Sequence, residues 1–346
     1  MKNKNFFKIN IIYFTALLCV AVVFVLGHTG VLVNEFLSSF LIQIVTMFAI
    51  PMLMYTLIVS KNFGNTIKDI GLKKISAKVV IISIALGFVL YFLNSFIADV
   101  FSAFISLLGY ENISSASEST ITYGLLLKDL ILTCILPAFC EEILHRGIML
   151  HANKKYTNTR FCLIISSILF GLTHLNIRQF FYATILGYLI GYVSLASDSI
   201  IPCMIIHFMN NFLSSYFYYG SRLNLPLATF INSIRAILLS DIIAFVLVIV
   251  LSISICIHLY RYLTKMLIKE KAKNDVHTIV RLLRLNELTL PEAQIRINEI
   301  NKILHEQKIA SEENKKPSTF LDKSFLISSI IFGALITISS FIWGII

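Results

Sequence analysis

Charge is scarce in this chain. Only 14% of its 346 residues are Asp, Glu, Lys or Arg, whereas 57% are hydrophobic. Soluble domains carry about 25% charged residues. The shortage excludes a disordered chain, a coiled coil and a collagen, and a water-soluble globule would leave too much apolar surface in water. Lipid is therefore predicted to be the solvent for most of the chain.

Cysteine is present, but in no spacing that carries chemistry. The chain has neither a CxxC nor a CxH pattern, and all its cysteines lie in apolar stretches, at Cys19, Cys134, Cys140, Cys162, Cys203 and Cys256. Zinc-finger, thioredoxin-like and secreted disulfide scaffolds are therefore excluded. We expect free thiols that pack as small apolar groups within membrane helices.

Long apolar runs dominate the sequence instead. A hydrocarbon core of about 30 Å requires roughly 20 apolar residues of helix. We predict an all-α fold, a polytopic membrane helical bundle of about nine transmembrane helices with a small cytoplasmic helical insertion. The spans are predicted at 9–27, 36–60, 79–108, 125–150, 161–177, 179–197, 200–219, 236–260 and 324–346. The first run is too long for a cleaved signal peptide and is interpreted as a retained span.

Basic residues alternate between the predicted loops and orient the chain. Basic residues precede span one and lie between spans two and three, four and five, and eight and nine. In that order they are Lys2, Lys4 and Lys8; Lys61, Lys68, Lys73, Lys74 and Lys78; Lys154, Lys155 and Arg160; and those of segment 261–323. Cytoplasmic loops carry the excess of Lys and Arg. This predicts a multi-pass protein of the cell membrane with a cytoplasmic N-terminus and an external C-terminus. The net charge of +10 is thereby explained without a nucleic-acid partner.

The segment 261–323 breaks the apolar pattern with 13 Lys or Arg and 9 Asp or Glu. Thr289 and Glu292 form a predicted capping box before a helix, and a second amphipathic stretch lies at 276–285. We expect a small helical hairpin with either a regulatory role or the role of a solvated tether. The resulting division is 1–124 for three N-terminal spans, 125–220 for a four-span core, 221–260 for an eighth span, 261–323 for the insertion and 324–346 for the last span.

Ionisable side chains inside membrane helices mark functional sites by default. Asp99, Lys128, Asp129 and Asp241 lie near the outer ends of spans, where water solvates them. The remaining polar groups fall on spans four, five and seven, at Glu141, Glu142, His145, Arg146, His174, His207 and Asn211. A rise of ~1.5 Å per residue from the cytoplasmic ends predicts depths that are compatible with a single cavity.

Helical spacing separates the roles of these residues. Glu142 and Arg146 are an i,i+4 pair that neutralises itself, whereas Glu141 faces about 100° away and is available for chemistry. His207 and Asn211 share a face and offer N–H donors to a developing oxyanion. A buried packing network, or histidines that only link helices, is the structural alternative. Gly187-x-x-x-Gly191 predicts close helix packing.

The three motifs, taken in order, resemble the CAAX-protease and bacteriocin-processing (CPBP, or Abi) family of intramembrane proteases. The family pattern is EExxxR, FxxxH and HxxxN, and this chain supplies it with Glu141-Glu142…Arg146, Phe170…His174 and His207…Asn211. The resemblance covers about residues 125–220. One departure is His145, which stands where members often carry an aromatic residue.

The resemblance implies hydrolysis of a peptide bond within the membrane. Glu141 and His174 would activate a water, His207 and Asn211 would stabilise the oxyanion, and Glu142, Arg146 and Phe170 would support them. Whether a metal takes part is left open. A zinc site of Glu141, His174 and His207 is one possibility, while HExxH is absent and the Glu–His pair alone is the other.

The sequence is compatible with three hypotheses about function. The favoured one is an intramembrane endopeptidase acting on a membrane-embedded or membrane-tethered peptide, in bacteriocin or peptide maturation or self-immunity. Lys, Asn and Ile usage typical of an AT-rich bacterial genome makes prenylated substrates unexpected. A non-catalytic peptide-binding or immunity protein on the same fold is the first alternative. A solute or proton carrier is disfavoured because the spans show no internal repeat.

Overall fold

A computed structural model describes residues 4–110, 121–220, 222–231, 233, 242–306 and 320–343. These residues form helices joined by short turns, and no strand occurs among them. We label the main helices α1 Lys4–His28, α2 Glu35–Ser60, α3 Phe63–Asp69, α4 Ala77–Leu107, α5 Tyr123–Lys155, α6 Thr159–Leu172, α7 Ile177–Ser197, α8 Ile201–Gly220, α9 Ile242–Arg284, α10 Leu290–Glu306 and α11 Phe320–Trp343.

Six helices in the described ranges are long and apolar enough to cross a membrane, namely α1, α2, α4, α5, α7 and most of α11. The predicted class of all-α, multi-pass membrane bundle is therefore confirmed. Helix α6 is apolar but shorter than these spans. Helix α8 has 20 residues, yet it is not among the six because His207, Asn210 and Asn211 lower its hydropathy.

Two span boundaries differ from the prediction. Span five was expected to reach residue 177, but α6 ends at Leu172 and His174 lies in the following turn. The chain reverses there through Leu175, whose φ of 50° ends the helix, and Asn176 caps α7 by accepting a hydrogen bond from the Arg178 N–H. Span eight was expected to end at residue 260, but α9 continues without a break to Arg284.

Helices α2 and α5 contain π-helical segments, at Leu41–Ala49 and Thr56–Ser60 in α2 and at Leu130–Ile135 and Ile143–Ala152 in α5. Helix α2 also contains Pro51 and α5 contains Pro137. Each proline removes one backbone hydrogen-bond donor. Widened turns of this kind occur frequently at functional sites. They shift the face that each helix presents, which a strict 3.6-residue period does not predict.

Close helix contact holds the centre of the bundle together. A Cβ atom at Gly171 would lie 2.1 Å from Thr184 Oγ1 and 2.7 Å from the Phe180 carbonyl oxygen, so α6 and α7 touch there where only glycine fits. A Cβ atom at Gly191 would lie 2.6 Å from Leu163 Cδ1, so the leucine would have to move. This agrees with the packing role expected for the Gly187–Gly191 pair. The cysteines are free thiols, and all except Cys19 are buried.

The insertion contains the predicted helical hairpin. The end of α9 packs on α10 around a small apolar core, Ala272, Ile279, Leu288, Ala293 and Ile300. The capping box forms as expected, since Glu292 Oε2 accepts hydrogen bonds from the Thr289 N–H at 2.9 Å and the Thr289 hydroxyl at 2.7 Å. The backbone N–H of Thr289 also lowers the pKa of Glu292. Residues 307–319 and Asp241 lie outside the described ranges.

Candidate active site

Phe170 is the centre of the polar cluster. Its ring contacts three imidazoles edge-on, with centroid distances of 5.1 Å to His145, 5.4 Å to His174 and 5.7 Å to His207. The guanidinium carbon of Arg146 lies 4.3 Å from the same ring centroid. Helices α5 and α8 and the turn after α6 thus place these three histidines and Arg146 around one aromatic ring.

Glu142 binds two of these groups with a single carboxylate oxygen. Its Oε1 accepts hydrogen bonds from Arg146 Nη1 at 2.7 Å and from His207 Nδ1 at 2.8 Å, and both acid and guanidinium are almost fully buried. Arg146 Nη2 also donates to the Gly187 carbonyl at 3.2 Å. The predicted i,i+4 pair therefore exists, and it additionally fixes the ring of His207. A buried cation on a membrane helix is tolerated because its charge is paired here.

Glu141 points away from this pair, as its helical position predicts. Its Oε1 accepts a hydrogen bond of 2.8 Å from Gln43 Nε2 on α2. Its Oε2 is buried and has no hydrogen-bond partner among the described residues. An ionised carboxylate has about four acceptor sites, so the second oxygen retains its capacity to accept a proton from a bound molecule.

The two remaining histidines differ in environment. His145 is fully buried: its Nδ1 lies 2.8 Å from the Glu141 carbonyl, and its ring packs edge-on against Tyr13. His174 is half-buried, lines the cavity and is electrostatically coupled to Glu141. Only His174 of these two is placed to meet a molecule in the cavity.

Asn211 has a structural contact that its motif does not reveal. Pro137 has no N–H, so the Thr133 carbonyl one turn earlier loses its usual helical partner. Asn211 Nδ2 donates to that carbonyl at 2.7 Å. Its side-chain oxygen accepts from Asn210 Nδ2 at 3.0 Å. One amide N–H of Asn211 remains for another acceptor, and Asn210 also borders the cavity.

A cavity of about 1050 Å³ lies beside this cluster. The predicted residues that line it are Glu141, Phe170, His174, His207 and Asn211. Glu142 and Arg146 lie behind this wall and touch the cavity only through His207 and Phe170. The volume is in the range of known ligand pockets. The cavity is therefore large enough for a ligand beside the carboxylate.

Within the described part of the chain, no group of three His, Cys, Asp or Glu side chains is arranged to hold a metal ion. The Nδ1 atoms of His207 and His145 are hydrogen-bonded to the Glu142 carboxylate and to the Glu141 carbonyl, so either ring could bind a metal only through Nε2. Such a bond at the other ring nitrogen is usual for a metal-ligating histidine. The two-His-one-carboxylate site of Glu141, His174 and His207 stays a prediction.

Sequence reasoning missed Gln43, Asn210 and the polar wall of α4 and α7. Gln43 is the single amide in an otherwise apolar run of α2, and that isolation is the only signal the sequence offers for it. Asp99 is predicted to be solvated at the outer end of a span, and the structure places it in the wall of the cavity. The sequence gives no sign of this position because Asp99 is far along the chain from the three motifs.

Residues 123–213 match the family model described as type II CAAX prenyl endopeptidase Rce1-like. The match spans about a quarter of the chain and contains all three motifs. The resemblance to the CAAX-protease family is thus confirmed over this segment. No curated protein and no solved structure gives a significant match to the chain.

Proposed function

We propose, from the match of residues 123–213 to the type II CAAX endopeptidases, that this chain is an intramembrane endopeptidase. The observation that carries the proposal is the hydrogen bonding of the Glu141 carboxylate. Its Oε1 is held by Gln43, while Oε2 has no hydrogen-bond partner among the described residues and belongs to a carboxylate that borders a peptide-sized cavity. Such an arrangement suits a general base acting on water.

In the proposed reaction, a water between Glu141 and His174 attacks the carbonyl carbon of the substrate peptide. A C–O bond forms, the water proton passes to Glu141, and the carbonyl oxygen becomes an oxyanion. Collapse of this tetrahedral species breaks the C–N bond. The proton held by Glu141 then goes to the leaving nitrogen, which departs as an amine. In this scheme the Glu–His pair alone activates the water, and a zinc site of Glu141, His174 and His207 is the alternative.

His207 and Asn211 provide the donors for the oxyanion. Because Nδ1 of His207 donates to Glu142, its Nε2 can donate to the substrate only when the ring is protonated. The unused amide N–H of Asn211, and the neighbouring Asn210, add neutral donors on the same helix. Donors fixed before the reaction are the most effective form of oxyanion stabilisation.

Glu142 and Arg146 support these groups from behind the cavity wall, and Phe170 supports them as part of that wall. Arg146 neutralises Glu142, stacks on Phe170 and ties α5 to the Gly187 carbonyl of α7. Because Phe170 packs against His174 and His207 at once, a shift of its ring would move both imidazoles. We assign these three residues a positioning role.

The proposed substrate is a membrane-embedded or membrane-tethered peptide, and the proposed setting is peptide or bacteriocin maturation or self-immunity in the cell membrane. A non-catalytic protein that holds such a peptide in the same cavity is the alternative. The two hypotheses differ in whether the peptide leaves the cavity cleaved.

The deciding experiment compares wild type with Glu141→Gln, which keeps the side chain nearly isosteric but removes the base. Purified protein in lipid nanodiscs is incubated with a candidate peptide encoded beside its gene, and products are identified by mass spectrometry. We expect cleavage by wild type and a loss of at least about a hundredfold in Glu141→Gln, in line with the usual contribution of a general base. Equal peptide binding without cleavage by either protein would establish the binding alternative.

Two controls sharpen this comparison. Ser39→Ala alters another residue of the cavity wall, one turn from Gln43 on α2, and is expected to cleave normally. Chelation followed by zinc addition tests the metal. Activity that survives chelation supports the proposed chemistry, whereas activity that zinc restores would replace it with a zinc mechanism.

A further inference from the structure

Three exposed lysines follow one another along one face of α9. Lys265, Lys269 and Lys273 are four residues apart, and a helix turns by about 100° per residue, so their side chains lie within about 80° of one another. All three are exposed. We call this face the lysine stripe, formed by Lys265, Lys269 and Lys273.

The acidic residues of α9 do not neutralise the lysine stripe. Within Ile242–Arg284 they are Glu270 and Asp275. Glu270 pairs with Lys78 of α4, and Asp275 lies 3.9 Å from Lys271. Among the described residues, the lysines of the stripe form no ion pair. Like charges four residues apart repel each other and weaken a helix, so a bound anion would stabilise this part of α9.

Two contacts show the level at which the lysine stripe begins. The Tyr260 hydroxyl donates to the Leu189 carbonyl at 2.9 Å, ~12 Å before α7 ends, and Glu270 pairs with Lys78 in the first turn of α4. The stripe begins between these two contacts. Helix α4 has 31 residues and is ~46 Å long, whereas the hydrocarbon core is about 30 Å thick. The first turns of α4, and the beginning of the stripe beside them, therefore lie at the level of the lipid headgroups.

The same side of α9 is apolar just before the lysine stripe. Ile255, Leu259 and Tyr262 are exposed there. Tyrosine is enriched at the boundary between membrane and water. Along this side, apolar side chains give way first to a tyrosine and then to lysines, in the order in which a bilayer passes from hydrocarbon to headgroups. An acidic protein partner would not require the apolar part of this surface.

We propose that the lysine stripe binds the headgroups of anionic phospholipids in the leaflet where α9 leaves the membrane. Lysine ammonium groups bind phosphate as point charges, and basic residues next to a membrane helix attract anionic lipids. No described residue of α9 lines the cavity that contains Glu141, so this lipid site is separate from the candidate active site.

Acetylation of lysine amines in the intact wild-type chain tests the proposal. The protein is placed in nanodiscs of phosphatidylcholine, alone or mixed with phosphatidylglycerol, and the acetylated residues are identified by mass spectrometry. We expect the lysines of the stripe to react at least about threefold more slowly in the anionic lipid, because the headgroups cover them. Lys74, which is exposed just before α4, and Lys302 on α10 are the controls and should change by less than about twofold.

A charge-matched pair of variants tests the same site by binding. Lys265→Gln/Lys269→Gln/Lys273→Gln removes the lysine stripe, and Lys74→Gln/Arg296→Gln/Lys302→Gln removes three exposed charges elsewhere. Lipid binding is measured by native mass spectrometry in detergent. We expect wild type and the control variant to bind phosphatidylglycerol at least about tenfold more tightly than phosphatidylcholine, and the stripe variant to bind the two lipids within about twofold.

Two results would overturn the lipid site directly, namely equal acetylation of the stripe in both kinds of nanodisc and a stripe variant that still prefers phosphatidylglycerol. Equal protection by soluble glycerol phosphate would reject it in favour of a site for small anions. Protection by soluble polyglutamate but not by phosphatidylglycerol would reject it in favour of an acidic protein partner. Peptide cleavage enters none of these measurements, so failure of the proposed function would leave them unchanged.

Discussion

Gln43 determines where the Glu141 carboxylate points. Among the described residues, it is the only side chain that donates a hydrogen bond to this carboxylate, through the 2.8 Å bond from Nε2 to Oε1. Oε2 is left buried and without a described partner. Because Gln43 is buried and neutral, it orients the base without contributing a competing charge.

Replacing Gln43 with leucine should lower turnover and leave the fold intact. A hydrogen bond to a charged group contributes about 1.5–3 kcal/mol, so we expect kcat to fall by about ten- to a hundredfold if the bond persists in the transition state. Ser39→Ala, one turn away on α2, is the control. A Gln43→Leu enzyme with normal kcat would refute this role.

Glu142 and Arg146 make a residue-scale prediction about stability. Glu142→Gln leaves a buried guanidinium without its counter-charge, and breaking a buried pair in this way costs about 3–5 kcal/mol. We expect a marked loss of thermal stability in detergent, and recovery of most of it in the double variant Glu142→Gln/Arg146→Met. Cleavage should be impaired in both, since His207 has lost its carboxylate partner. A double variant as unstable as the single one would contradict this account.

At the scale of elements, the apolar runs predicted the membrane helices because lipid requires long segments that satisfy their own backbone. The i,i+4 spacing on one helix likewise predicted the ion pair between Glu142 and Arg146. Helical period could not predict that Gln43 meets Glu141, since that contact joins helices distant in sequence. Nor did hydropathy predict that α6 ends at Leu172, because the terminating signal is the turn at Leu175 and the cap at Asn176.

The junction between α7 and α8 is another element that hydropathy leaves unspecified. Asp198 adopts a left-handed conformation with φ of 52°, and its neighbours bind the loop before α4 through the bonds Ile200 N–H to Gly71 O at 3.0 Å and Ser199 Oγ to Lys73 O at 2.8 Å. Burial alone would raise the pKa of Asp198, but Lys154 and Lys73 outweigh it and hold the pKa below its usual value.

A depressed carboxyl pKa makes this junction sensitive to acid. The pairing of Asp198 stabilises the fold above the unfolded-state pKa of about 3.9 and is lost as pH falls toward the lower folded-state value. We expect wild type in detergent to lose thermal stability between pH 5 and pH 3, both about one unit from that pKa. Asp198→Asn, which tolerates the left-handed conformation, should be less stable at pH 7 and show a smaller loss on acidification. Parallel curves for the two proteins would contradict this assignment.

At the scale of the whole molecule, the charged hairpin and the cavity occupy different regions. The residues around the cavity belong to α2, α4, α5, α6, α7 and α8, with His174 in the turn after α6. Helix α10 packs on α9 and shares a separate small core with it. This separation implies that the hairpin can be loosened without disturbing the reacting groups.

Paired substitutions on α10 test that independence. Ile300 belongs to the hairpin core and is 9% exposed, whereas Ile295 on the same helix is 59% exposed. Ile300→Asp places a charge against apolar neighbours and should raise amide hydrogen exchange throughout 286–306, while Ile295→Asp should not. Both variants should cleave the candidate peptide within about twofold of wild type, since less than 0.5 kcal/mol of barrier corresponds to that range. A selective loss of cleavage in Ile300→Asp would instead show that the folded hairpin regulates the site, because the matched charge at position 295 controls for electrostatics.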